Sequence, residues 1–113
     1  NDWDASKCRN AENWSGAKTC GVWSYAEGCS PWGIYQMSGN VYEWCANWYE
    51  SGAYGCYRRG DLAPPASGQY RVLRGGSWDD VGGMGVFRCA LGDFRVPAGR
   101  DDDIGFRCAR TVL

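Results

Sequence analysis

The sequence predicts a single loop-rich domain of short strands and turns, and three observations carry that expectation. Seventeen glycines against four prolines in 113 residues call for many special backbone angles rather than a helix bundle. Two segments, RVLRGGSW from Arg71 and IGFRCAR from Ile104, alternate apolar and polar side chains as strands do. Seven Trp, seven Tyr and three Phe supply bulky anchors to a chain long enough for one modest core.

Taken in order, residues 1–28 are polar and turn-rich, with Trp3, Trp14 and Trp23 as isolated anchors and no helix of useful length. The block SPWGIYQMSGNVYEWCANWY, residues 30–49, has a turn at Pro31 and Gly33 and another at Ser38-Gly39-Asn40. Val41, Tyr42, Trp44 and Trp48 then form a strand or a short irregular segment packed into the core. Glu43 sits among these aromatics, where an unpaired carboxylate is costly, so it needs an arginine or a metal ion. Residues 50–69, with Pro64-Pro65, form a long connection of little periodicity. Residues 70–76 return to a strand, and Gly75-Gly76 lets the backbone bend or approach another segment closely. FRCA occurs at 87–90 and again at 106–109, which predicts two strands with one side-chain pattern; Ile104, Phe106 and Cys108 share a side of the second. The stretch 71–107 thus has specified ends and an irregular middle, a rigid frame around a candidate binding surface.

Composition excludes several functions. A formal charge of −1 gives no electrostatic footprint for nucleic acid or an anionic membrane, and no apolar run is long enough to span a bilayer. Histidine is absent, which removes Ser-His-Asp and Cys-His nucleophiles, His-based zinc sites and imidazole acid–base work. Seven cysteines occur without a CxxC pair, so neither a zinc ribbon nor a thioredoxin-type motif is supported. This much cysteine in a small domain predicts disulfides and an oxidising compartment, the alternative being buried free thiols; the odd count leaves at least one unpaired within the chain.

GIYQMSGNVYEW, followed by RVLRGGSW and IGFRCA, resembles the formylglycine-generating enzyme (sulfatase-modifying factor) family. The resemblance implies an irregular α+β C-type-lectin fold, loop-rich, with small twisted antiparallel sheets. It divides the chain into a loop segment (1–29), a scaffold (30–78), a face (79–103) and a closing strand (104–113), together the C-terminal portion of one domain. The family's N-terminal half, with its LPTEAEWE-like segment, has no counterpart here, so a longer chain or a second chain supplying it is expected. The family's enzymes oxidise a substrate cysteine with two cysteines placed shortly after GGS. Those positions fall at or near Asp80 and Gly85, neither of them a thiol, and the iron-dependent branch needs histidines that the chain lacks.

Within the same family, the resemblance is to the variable proteins of diversity-generating retroelements. In these, adenine-directed mutagenesis rewrites asparagine codons between GGSW and GFR. Their frame lies over residues 74–107, and asparagine is absent from residue 48 onward although five occur in the first 47. The implied role is a non-enzymatic ligand-binding protein displayed outside a cell, on its surface or on a virion. Its expected partner is a protein ligand on another cell or virus. The binding residues would be Asp79, Asp80, Val81, Gly83, Gly85, Phe87, Leu91, Asp93, Phe94, Val96, Gly99 and Asp101, framed by Arg88 and Arg107 as buried or half-buried partners of carboxylates. An apolar centre ringed by acids suits a basic or amphipathic partner. Asp101–Asp103 serve partner contact, calcium binding or plain solvated charge. The resemblance also implies calcium at the QMSGNVYE turn, held by carbonyls of Gln36, Gly39 and Val41 and by the Glu43 carboxylate; an arginine beside Glu43 is the alternative. The competing reading of the whole chain is a formylglycine-generating-enzyme-like domain with lost or different activity.

Overall fold

The alternating YEWCANW and RVLR segments become neighbouring strands at the centre of one sheet. In the computed structural model, which describes residues 2–82 and 85–112, β1 (Tyr42–Trp48) pairs antiparallel with β2 (Arg71–Arg74). Trp44 faces Leu73 across the ladder and Trp48 faces Arg71, with an irregularity between the two tryptophans. The Arg71 guanidinium lies 3.6 Å from the centre of the Trp48 ring and donates to the Ala46 carbonyl, which fixes the strand where its ladder is broken. On the other side of β2, β3 (Gly92–Arg95) is antiparallel, with Val72 opposite Phe94. β4 (Ile104–Gly105) runs parallel to β1, Tyr42 opposite Ile104, so the strand order is β3-β2-β1-β4. The fold is therefore a loop-rich α+β arrangement around one small mixed sheet, rather than the purely antiparallel sheets expected.

Several local expectations are corrected. Neither FRCA copy is a strand: residues 87–90 form turns, and β4 ends at Gly105, leaving Phe106 76% exposed. The 50–69 connection holds a short helix, α1 (Ala53–Arg58), which no side-chain cap announces. β3 emerges from the stretch that showed no periodicity. All seven cysteines are free thiols, so the disulfide framework does not form in this structure; they are spread over separate elements, Cys45 in β1, Cys56 in α1, Cys89 in the 87–90 turns.

What ties down residues 2–28 is asparagine. Two single-turn 3-10 helices, Ala5–Lys7 and Ala26–Gly28, are the only regular elements there among the described residues, and Asp4 caps the first by accepting from the Ser6 amide at 2.9 Å. The fully buried Asn10 donates to the Ala5 and Cys8 carbonyls at 2.9 and 2.8 Å and accepts from the Glu12 amide at 2.8 Å. Asn13 donates to the same two carbonyls at 2.7 and 2.8 Å, and the Asn40 side chain accepts from the Cys20 amide at 2.9 Å. These side chains satisfy backbone groups that a strand partner would otherwise satisfy.

The core lies where this loop meets the start of the irregular segment. Leu73, Trp78 and Cys8 are its buried apolar residues, joined by buried Asn10, Asn40 and Ser77. Trp78 meets Trp14 edge-on at 5.3 Å, carries the Lys18 ammonium 4.7 Å from its ring centre, and its amide donates to the Asn40 carbonyl at 2.9 Å. Burial pushes the Cys8 thiol up to about 11. The frame aromatics are less uniform than expected, since Trp32, at the tip of the 31–33 turn, is 85% exposed.

Candidate functional site

After β2 the chain turns on two glycines. Gly76 has φ +70, and a Cβ there would lie 2.7 Å from the Phe87 ring. The bare backbone lets that ring tuck in and stack on Trp3 at 4.6 Å with 12° between planes. Ser77 and Asp80 then lock a turn. One Asp80 carboxylate oxygen accepts from the Ser77 amide at 2.8 Å and from its hydroxyl at 3.0 Å, while the Asp80 carbonyl accepts from the Ala11 amide at 2.9 Å. Burial first, then the Asp80 carboxylate, raise the Tyr42 hydroxyl above its ordinary range.

The nominated face residues separate into two groups. Asp79, Val81, Leu91, Val96 and Asp101 are exposed, the three apolar ones by between 41% and 49%. The others are engaged within the fold. Asp80 closes the turn just described. Phe87 is half-buried, and Phe94 stacks on Tyr49 at 4.0 Å and meets Tyr70 edge-on at 5.2 Å. Asp93 accepts from the Phe94 amide at 2.7 Å and from Arg95 at 2.9 Å. Gly99 closes a turn by donating its amide to the Val96 carbonyl at 2.8 Å. Gly85 has φ +72, a backbone that strains any other residue, and Gly83 lies outside the described residues. Arg88, expected as a buried or half-buried partner of a carboxylate, is exposed and has no carboxylate partner among the described residues.

The acids at 101–103 bring one oxygen each within 4.8 Å of one another. Asp102 accepts from the Lys18 ammonium at 2.7 Å, and Asp101 from the Asp102 amide at 2.9 Å. Burial, then the neighbouring Asp101 carboxylate, hold Asp103 above the usual carboxylate range.

Glu43 has found its counter-ion in Arg107. The guanidinium donates Nε to one carboxylate oxygen at 2.6 Å and Nη2 to the other, a two-point pairing. It donates further to the Tyr35 carbonyl at 2.9 Å and the Gln36 carbonyl at 2.8 Å. The pairing with Glu43 lifts the Arg107 guanidinium further still. Gln36 stands at φ 56, the left-handed conformation, in the turn whose carbonyls Arg107 collects. The set Gln36, Gly39, Val41 and Glu43 lines one cavity of about 450 Å³ with Trp23, Ile34 and Phe106. Its residues do not fit calcium as arranged: both Glu43 oxygens and the Gln36 carbonyl are taken by a cation already. Of the two solutions the sequence allowed for Glu43, the structure holds the arginine.

Sequence reasoning passed over two side chains that touch the face from behind, Arg74 in β2 and Tyr54 in α1. Arg74 was visible only as part of RGGSW, and nothing in a short helix without caps could single out Tyr54.

The frame of motifs, the small mixed sheet and the turn-built face define a C-type-lectin fold of the formylglycine-generating kind. The chain belongs to the family of the sulfatase-modifying factor enzyme 1-like domain, whose model matches residues 1–112. It is 40% identical over 106 residues to serine/threonine-protein kinase pkn1 of Chlamydia caviae, covering 92% of this chain and 16% of that protein. It is 35% identical over 80 residues to the formylglycine-generating enzyme of Streptomyces coelicolor, covering 68% of this chain and 25% of the enzyme. Among solved structures it resembles Treponema denticola variable protein 1, with a TM-score of 0.67 and 32% identity over 89% of this chain and 34% of that one. The chain thus spans a quarter or less of these two curated relatives.

Proposed function

We propose that this domain is a non-enzymatic ligand-binding module whose surface at 79–103 is diversified by a retroelement. The observation that carries the reading is the fate of the position matching the first catalytic cysteine of the family's enzymes. That position falls at or near Asp80, whose carboxylate closes the Ser77 turn and offers neither a thiol nor a free side chain for redox chemistry. With no histidine in the chain, the iron-based alternative lacks its ligands. Support comes from the exposed Asp79, Val81, Leu91, Val96 and Asp101 on a frame fixed by Trp78, Arg107 and β2, and from the likeness to a variable protein. In this reading the domain is displayed extracellularly, at a cell surface or on a virion, and takes a protein ligand on another cell or virus. A further stretch of chain, its own or a partner's, completes the family domain.

The test is a display library randomised at Asp79, Val81, Leu91, Val96 and Asp101 and selected against defined purified proteins. Binders that keep the parental melting temperature are the expected result. Incubation with a CxPxR peptide, copper and oxygen is the opposing arm. Conversion of the peptide cysteine to formylglycine, seen by mass spectrometry, overturns the reading.

A further inference from the structure

The segment 87–91 has no strand partner, yet each of its five main-chain carbonyls is occupied. The Phe87 carbonyl accepts from the Ser38 hydroxyl at 3.4 Å and the Arg88 carbonyl from the Leu91 amide at 3.0 Å. The Cys89 and Leu91 carbonyls both accept from Nη1 of Arg74, at 2.8 and 3.3 Å. The Ala90 carbonyl accepts from the Tyr54 hydroxyl at 2.9 Å, and that hydroxyl in turn accepts from Nη2 of Arg74 at 2.8 Å. One guanidinium and one phenol, from β2 and α1, therefore hold three consecutive carbonyls of the loop.

We infer that Arg74 and Tyr54 are positioning residues that fix the backbone of residues 89–91 of the binding face independently of the side chains carried there. The inference rests on the reading of 79–103 as a substitution-tolerant face. A carbonyl is the same acceptor on every residue, so a clamp that grips only carbonyls survives replacement of the side chains above it. Arginine suits the task because its planar fork presents several fixed donors at once, which a lysine ammonium does not. Relaying one donor of Arg74 through the Tyr54 hydroxyl extends the reach to a third carbonyl, and each bond in such a chain polarises the next. The clamp holds a loop of turns whose side chains at Arg88–Leu91 are exposed.

Two libraries test this, both read by the fraction of members that fold on display. One randomises the exposed face positions Arg88, Cys89, Ala90 and Leu91; the other randomises Leu62, Ser67 and Gln69, exposed positions outside the face. Each is built in the parental scaffold and in Tyr54→Phe, Arg74→Met and Arg74→Lys scaffolds. The clamp predicts that the folded fraction of the face library falls several-fold in all three altered scaffolds, while the control library changes little. Hydrogen exchange on the single variants adds a second reading. The Leu91 amide should exchange on the order of five- to tenfold faster in Tyr54→Phe, with amides of β1 unchanged. An equal fall in both libraries assigns Arg74 and Tyr54 to general stability and overturns the inference, as does no fall in either. Because the readout is folding and not binding, the clamp can fail while the binding function stands, and the reverse.

Discussion

Trp78 and Leu91 are both large and apolar, and the structure gives them opposite weights. Trp78 is buried at the meeting of the N-terminal loop and the GGSW turn, so Trp78→Ala should cost about 3–5 kcal/mol in urea unfolding. Leu91→Asn and Val96→Asn remove side chains that stand in water and should stay within about 0.5 kcal/mol of the parent. The residues between these extremes separate the two groups of the face. Asp80→Ala strips the Ser77 amide and hydroxyl of their acceptor and should cost about 1–3 kcal/mol. Phe94→Ala, which empties a ring stack against Tyr49, should cost a comparable amount. If Leu91 and Val96 prove as sensitive as Trp78, the surface at 79–103 belongs to the core and cannot be diversified. The asparagines repeat the lesson in reverse. Asn10, Asn13 and Asn40 stand where their side chains bond main-chain groups of the N-terminal loop.

At the level of elements, β2 was legible because alternation is a local signal that burial of one face imposes, while the aromatics of β1 left a strand and a short irregular segment both open. β3 was not, since GDFR offers only four residues with Phe94 as its lone aromatic, and its pairing is set by the adjoining β2 ladder. IGFRCAR misled in the opposite direction. Its alternation extends well past the two residues that pair with β1, and Arg107 leaves the strand line to reach Glu43 and two carbonyls. The glycine turn after β2 was visible, but its purpose was not, because the ring that fills the space comes from Phe87, eleven residues on. Gly76→Ala tests that joint. The added methyl meets the Phe87 ring at a backbone angle that alanine resists, so the variant should lose about 2 kcal/mol or more. Phe87→Leu in the same chain should recover part of the loss if the ring is the obstacle, and none of it if the angle alone is responsible.

For the molecule as a whole, the resemblance supplied what local patterns could not: the identity of the fold. It reached the family and fold through three short motifs, but it also carried over a calcium turn that the structure fills differently. A metal site and an arginine pair answer the same electrostatic need, a half-buried carboxylate at Glu43, and sequence cannot choose between them because Arg107 is sixty-four residues away. Thermal denaturation can choose. A ligand that binds only the native state raises its stability in proportion to RT ln(1 + [L]/Kd), so chelation lowers the melting temperature of a calcium-held fold. With Arg107 holding both Glu43 oxygens and the Gln36 carbonyl, the parent should melt at the same temperature in EDTA and in millimolar calcium. Arg107→Ala should be destabilised by about 1–3 kcal/mol in either medium, through a half-buried carboxylate left without its counter-ion and two carbonyls left without their donor. Glu43→Gln should be milder, because a glutamine oxygen still accepts one donor from the guanidinium and the two carbonyl contacts remain. A parent that loses stability on chelation, with the loss abolished in Glu43→Gln, would place calcium at this turn and displace the arginine from the role the geometry gives it.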